Sequence, residues 1–141
     1  MRAQLAFTLI VTLAAGAGHV LAQEGGNAPV LSLELNGAEP SERGCRLTFV
    51  AANRLGQDIA RAAYEVALFG KDGLVKRLTV LDFKVLPESE TKVRQFVIPD
   101  MDCADLGRVL INDATACDGP ETAACMRQLE TAARGALAFG K

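Results

Sequence analysis

The chain has 141 residues, with 17 acids against 15 bases for a net charge of −2, and half of its residues are apolar. So mild an acidity offers no electrostatic footprint for nucleic acid or for an anionic membrane surface. The length suits one domain with a modest core.

The first residues, MRAQLAFTLIVTLAAGAGHVLAQ, place a basic Arg2 before an apolar run that ends in small residues. That is the build of a secretory signal peptide, expected over residues 1–22 with cleavage after Ala22, or alternatively after Ala17. Gly16, Gly18 and His19 interrupt the run, so it falls short of the ~20 apolar residues that span a bilayer. No Arg-Arg pair precedes it, which favours the general secretory route over the twin-arginine one. The expected product is periplasmic or secreted, with no membrane insertion. His19 is the only histidine. Its loss with the leader removes Ser-His and Cys-His nucleophile pairs, His-ligated zinc and a neutral-pH imidazole base together.

Residues 23–29 form a flexible lead-in of turn formers, and 30–140 read as a single β domain. In VLSLELNG, Leu31, Leu33 and Leu35 alternate with Ser32, Glu34 and Asn36, the period of a half-buried strand. AEPSERG is expected to end it. A second strand, CRLTFVAAN, puts Cys45, Leu47, Phe49 and Ala51 on one face. Two β-prone runs then flank Lys71-Asp72-Gly73, which predicts a hairpin. Its first arm buries Tyr64, Val66 and Leu68. In its second arm Leu78 and Val80 oppose Arg77 and Thr79, and a bulge near Leu81 is expected to restore the pattern beyond Asp82-Phe83.

A polar turn around Pro87 leads to the strand KVRQFVIP, and RVLIND is a further short apolar run. The last piece predicts a short helix from Glu121 to Gln128, with Pro120 near its first turn and Asp118 as a cap. A final strand then runs from Thr131 to Phe139; a single helix over 121–138 is the alternative. The sum is an all-β, antiparallel sandwich of about seven strands with one short helix before the last.

The stretch YEVALFGKDGLVKRLTVLDFKVLPESETKVRQFVI resembles the FxLYD-type domains of bacterial secreted proteins, with Leu68-Phe69-Gly70 where such domains often carry Leu-Tyr-Asp. The resemblance covers residues 45–98 and implies an immunoglobulin-like sandwich without a known catalytic site. From LELNGAEPSERGCRLTFVAAN to DCADLGRVLINDATAC the chain also looks like a group of small exported proteins of Gram-negative, alphaproteobacterial type. That likeness speaks to compartment and fold and transfers no function.

Cys45, Cys103, Cys117 and Cys125 contain no Cys-x-x-Cys, so zinc-ribbon and thioredoxin-like chemistry lack their motifs. An even cysteine count in an exported chain predicts two disulfides. In an immunoglobulin-like sandwich the second and fifth strands are antiparallel neighbours, which pairs Cys45 with Cys103 and leaves Cys117 for Cys125. Asp100, Asp102 and Asp105 begin like a calcium loop, but Ala104 stands at the third ligand position and Ile111 at the bidentate one, so a solvated loop is expected. Asp82, Glu88 and Glu90 flank a turn, and Lys76-Arg77 suits a strand edge. Phe69, opposite the Tyr64 face, is the one aromatic candidate for a contact patch. No catalytic residue, metal ligand or cofactor is expected. The reading is a non-catalytic accessory or binding module for another envelope protein, the alternatives being a carboxylate-dependent small hydrolase or a small-ligand carrier.

Overall fold

Among the described residues eight strands close on one core, and alternation of apolar and polar residues marks the first of them. The computed structural model describes residues 28–141; the leader expected over 1–22 and the lead-in as far as residue 27 lie outside the described residues. One sheet contains β1 (Val30–Ser41), β2 (Gly44–Arg54), β5 (Thr91–Pro99) and β7 (Leu129–Ala133), in the order β5-β2-β1-β7. The other contains β3 (Ile59–Gly70), β4 (Val75–Leu86), β6 (Leu106–Asp118) and β8 (Ala138–Gly140), in the order β4-β3-β6-β8. A single helical turn, α1 (Ala124–Arg127), precedes β7. No helix among the described residues is long and apolar enough to cross a membrane.

The fold is thus the expected all-β sandwich. Through β6 its strand order is that of an immunoglobulin-like domain, with the first, second and fifth strands in one sheet and the third, fourth and sixth in the other. Leu31, Leu33 and Leu35 of β1 are buried, as are Cys45, Leu47, Phe49 and Ala51 of β2 and Tyr64, Val66 and Leu68 of β3. Each such leucine is worth about 2 kcal/mol relative to an exposed one. At the centre Phe49 meets Phe83, Phe96 and Phe139 edge-on, with ring centroids 5.3–5.9 Å apart. Tyr64 joins them through Phe83.

The hairpin forms where Asp72-Gly73 predicts it. Gly73 adopts φ 80°, its N–H donates to Gly70 O, and the Asp72 carboxylate accepts from Leu74 N. This is a three-residue loop whose last position requires the left-handed region.

Four expectations need correction. AEPSERG does not end β1: the strand bulges between Leu35 and Gly37 and runs on to pair Pro40 with Cys45. Pro40 is tolerated there because β7 covers only Leu31–Leu35, so beyond it β1 is an edge. Second, β4 bulges near Leu81, between Asp82 and Lys84, where Lys84 takes φ 63°, but the faces before the bulge are the reverse of those expected. Leu81 and Phe83 already point inward, which leaves Leu78 and Val80 on the solvent side.

Third, the helix is four residues and not the span from Glu121 to Gln128, and Asp118 ends β6 instead of capping it. Cys125 is tied to Cys117, and Leu129 is already paired with Leu31, so the chain has no room for further turns. Fourth, residues Thr131 to Phe139 are not one strand. β7 pairs parallel with β1, and after a crossover at Arg134–Leu137 β8 pairs parallel with β6. The count among the described residues is therefore eight, and both sheets are mixed.

Candidate functional site

Both disulfides join the expected partners, Cys45 with Cys103 and Cys117 with Cys125, at Cα separations of 4.9 and 5.9 Å. Cys45 faces Ile98 across the β2–β5 ladder, and β5 turns at Asp100 into the 3-10 turn Cys103–Asp105. No free cysteine remains. All four cysteines therefore serve the frame. Two disulfides belong to an oxidising, extracytoplasmic compartment.

The carboxylates singled out in sequence are occupied separately. The N–H of Lys84 donates to Asp82, and Lys84 Nζ and Arg61 Nε bind the same carboxylate at 3.1 Å. The backbone amide first, and the two cations after it, hold the Asp82 carboxyl below the usual range. Glu88 accepts from Gly56 N, and Glu90 pairs with Lys92. In the acidic loop Asp102 caps the 3-10 turn by accepting from Ala104 N at 2.9 Å. No group of three or more His, Cys, Asp or Glu is gathered for a metal among the described residues.

A cleft of about 860 Å³ opens at one end of the sandwich. Its walls are the β3–β4 turn, the start of β6, the bulged part of β1 and the Arg134–Leu137 crossover. Phe69, Leu106 and Leu137 supply apolar surface, and Lys71, Arg108 and Arg134 supply positive charge. None of its lining residues is acidic, although acids outnumber bases in the chain.

Phe69, the aromatic candidate from the sequence, is half-buried in this wall and lies 5.7 Å beneath the Arg108 guanidinium. The stacking fixes the direction of the guanidinium while leaving its donors free. Arg134 Nε binds Glu34 at 2.7 Å, and its backbone N–H donates to Leu35 O. Asn36 and then Arg134 hold the Glu34 carboxyl below its ordinary range. Lys71 and Arg108 form no ion pair among the described residues.

No known protein family matches this chain, and no curated protein or solved structure does. Function therefore rests on the site itself. Sequence reading found Phe69 but missed Lys71, Arg108 and Arg134, because they come from three separate segments of the chain. No local motif links them; only the crossover brings Arg134 to the other two.

Two structural side chains were missed for a similar reason. Asn53, the only buried polar residue of the described chain, donates to Leu86 O and Gln57 O and accepts from Leu55 N. Arg94 donates from Nε to Phe83 O and from Nη2 to Val85 O, which clasps β5 to the edge of β4. Each reaches a backbone carbonyl of β4 from another strand, Asn53 at Leu86 and Arg94 at Phe83 and Val85.

Proposed function

We propose that the protein is exported through a general secretory leader to the periplasm and works there without catalysis, as a binding module for another envelope protein. The partner is held in the end cleft by an acidic segment with apolar anchors. The observation that carries the reading is an apolar floor with no acid in its lining, flanked by Lys71 and Arg108 without ion-pair partners among the described residues and by Arg134, which Glu34 holds in place, in a chain with excess acid. Such complementarity favours encounter with an anionic partner and disfavours self-docking at this cleft. No nucleic-acid role is part of it, and Asp82, Glu88 and Glu90 are each held by other groups.

Export is tested by fractionation and amino-terminal sequencing, which should find a product beginning at Gln23. Binding is tested by NMR titration with a peptide of alternating Asp and Leu. Resonances of Phe69, Arg108 and Leu137 should move, and the Lys71→Glu/Arg108→Glu variant should lose the response. Shifts confined to other surfaces, or undiminished by the charge reversal, would overturn the reading.

The cleft volume also lies within the range of small-molecule sites, which gives a second reading as a carrier of small anions. Phenylacetate separates the two: movement of the same resonances with phenylacetate and not with the peptide selects the carrier.

A further inference from the structure

The large apolar side chains that the fold leaves exposed are Leu74, Val75, Leu78, Val80, Val85 and Val93, each 46–63% accessible. Most belong to β4, which is the edge strand of its sheet. From Phe83 onward that edge is covered by Arg94, which takes the carbonyls of Phe83 and Val85. Between Lys76 and Asp82 no group from outside the sheet bonds to the backbone, among the described residues. The ladder to β3 runs there without a register shift from Arg77 to Asp82. Long, regular, apolar edges invite another strand, and proteins usually blunt them with proline, bulges or charge. Here the bulges stand only at the two ends of the stretch, and the charges on its exposed face, Lys76 and Asp82, are of opposite sign and flank the apolar Leu78 and Val80.

We propose that this edge pairs with a second copy of itself, antiparallel about Thr79, to join two molecules through one continuous sheet. A two-fold axis through a strand edge sets each residue opposite its mirror position, so the pattern must be self-complementary. About Thr79 it is: Leu78 faces the partner's Val80, and Lys76 faces the partner's Asp82, each pair occurring twice by symmetry. Shifting the axis to Arg77 opposes two arginines, and shifting it to Val80 opposes Lys76 to Lys84. Only the Thr79 axis brings the apolar pair together with opposite charges at both ends. Asp82 already binds Arg61 and Lys84, and Lys76 already binds Asp72; a carboxylate has sites for a further donor and an ammonium has three hydrogens to give. The surface is distinct from the end cleft and stands or falls separately. One strand pair is a small interface by the standards of stable dimers, so the association is a weak, concentration-dependent one.

Sedimentation velocity of the oxidised protein from micromolar to millimolar concentration should show the mass rising from monomer to dimer. Val80→Lys, at an exposed position, should leave the melting temperature unchanged and keep the protein monomeric. Register is read by cross-linking: a mixture of Leu78→Cys and Val80→Cys chains should give a disulfide-linked heterodimer in several-fold excess over either homodimer. A protein that stays monomeric throughout, a Val80→Lys chain that still associates, or homodimers trapped as readily as heterodimers would overturn the proposal.

Discussion

Replacing Asn53 with alanine removes three hydrogen bonds made by a side chain that is itself fully buried. The carbonyl of Leu86 is buried and loses a 2.8 Å donor, which costs about 2 kcal/mol because nothing replaces it. Leu55 N and Gln57 O lie at part-buried positions 3.0 and 2.9 Å from the amide; water reaches them in part, so each adds about 0.5–1 kcal/mol. The backbone bonds of Asn53 with Glu90 and Ser89 survive. The sum, about 3 kcal/mol, is a large share of the ~5–15 kcal/mol that a domain possesses. In urea, with a slope of about 1.5 kcal/mol per molar, the midpoint should fall by about 2 M at constant slope. A fall of less than about 0.5 M would refute the view that Asn53 joins the end of β2 to the end of β4. Asn53→Asp adds a sign test. Its carboxylate would confront two carbonyls at neutral pH, so its deficit should exceed that of alanine and shrink on acidification, as the group gains a proton to donate.

The Cys45–Cys103 bridge closes 58 residues and the Cys117–Cys125 bridge 8. In the chain-entropy model they contribute about 4 and about 2.5 kcal/mol, so the Cys45→Ala/Cys103→Ala variant should melt below the Cys117→Ala/Cys125→Ala variant. Tyr64 donates from the core to Cys125 O at 3.0 Å, and Tyr64→Phe should cost about 1–2 kcal/mol in urea titration. Burial pushes the phenol well above its ordinary range, so this contribution is complete below the ordinary tyrosine pKa and is lost only as pH rises through the elevated one. Absorbance titration should find no phenolate before unfolding. Gly44→Ala would drive a Cβ into the backbone carbonyl of Ile98, whereas Gly73→Ala meets nothing within 4 Å; thermal melts should show the former several-fold more damaging. The lowered carboxyl of Asp82 gives stability that is present above the usual aspartate pKa and lost as pH falls through the depressed one. It is exposed enough that Asp82→Asn should cost under about 1 kcal/mol, and the variant should lose less stability on acidification.

β1, β2 and the first arm of the hairpin were legible because each carries its own period-two pattern, and the Asp-Gly turn needs one residue type at one place; β5 and β6 showed only as short apolar runs. The pairing of Cys45 with Cys103 followed from topology, since it joins neighbouring strands. Leu78 and Val80 misled, because apolar residues at alternating positions announce a face without saying that the face is inward. The inward side there belongs to Arg77, which reaches Pro99 O at 2.5 Å, and to Thr79. Residues Thr131 to Phe139 misled for a different reason. They pair only in parallel with strands far back in the chain, and nothing local records a pairing of that kind.

That misread segment is also the one that makes the candidate site. One strand over Thr131 to Phe139 would stay within a single sheet and leave the end of the sandwich without its fourth wall. Dividing it into β7 and β8 sends Arg134–Leu137 from one sheet to the other, and this places Arg134 and Leu137 in the cleft with Arg108 and Phe69. The start of the crossover is set upstream. Cys117–Cys125 and the Tyr64 hydrogen bond fix α1, α1 fixes where Leu129 meets Leu31, and five residues later the chain must turn. The small disulfide thus stands far from the cleft in role yet determines its wall. Its loss should weaken acidic-peptide binding while β1 to β6 remain paired, because their ladders do not run through the bridge whereas the register of β7 follows from it.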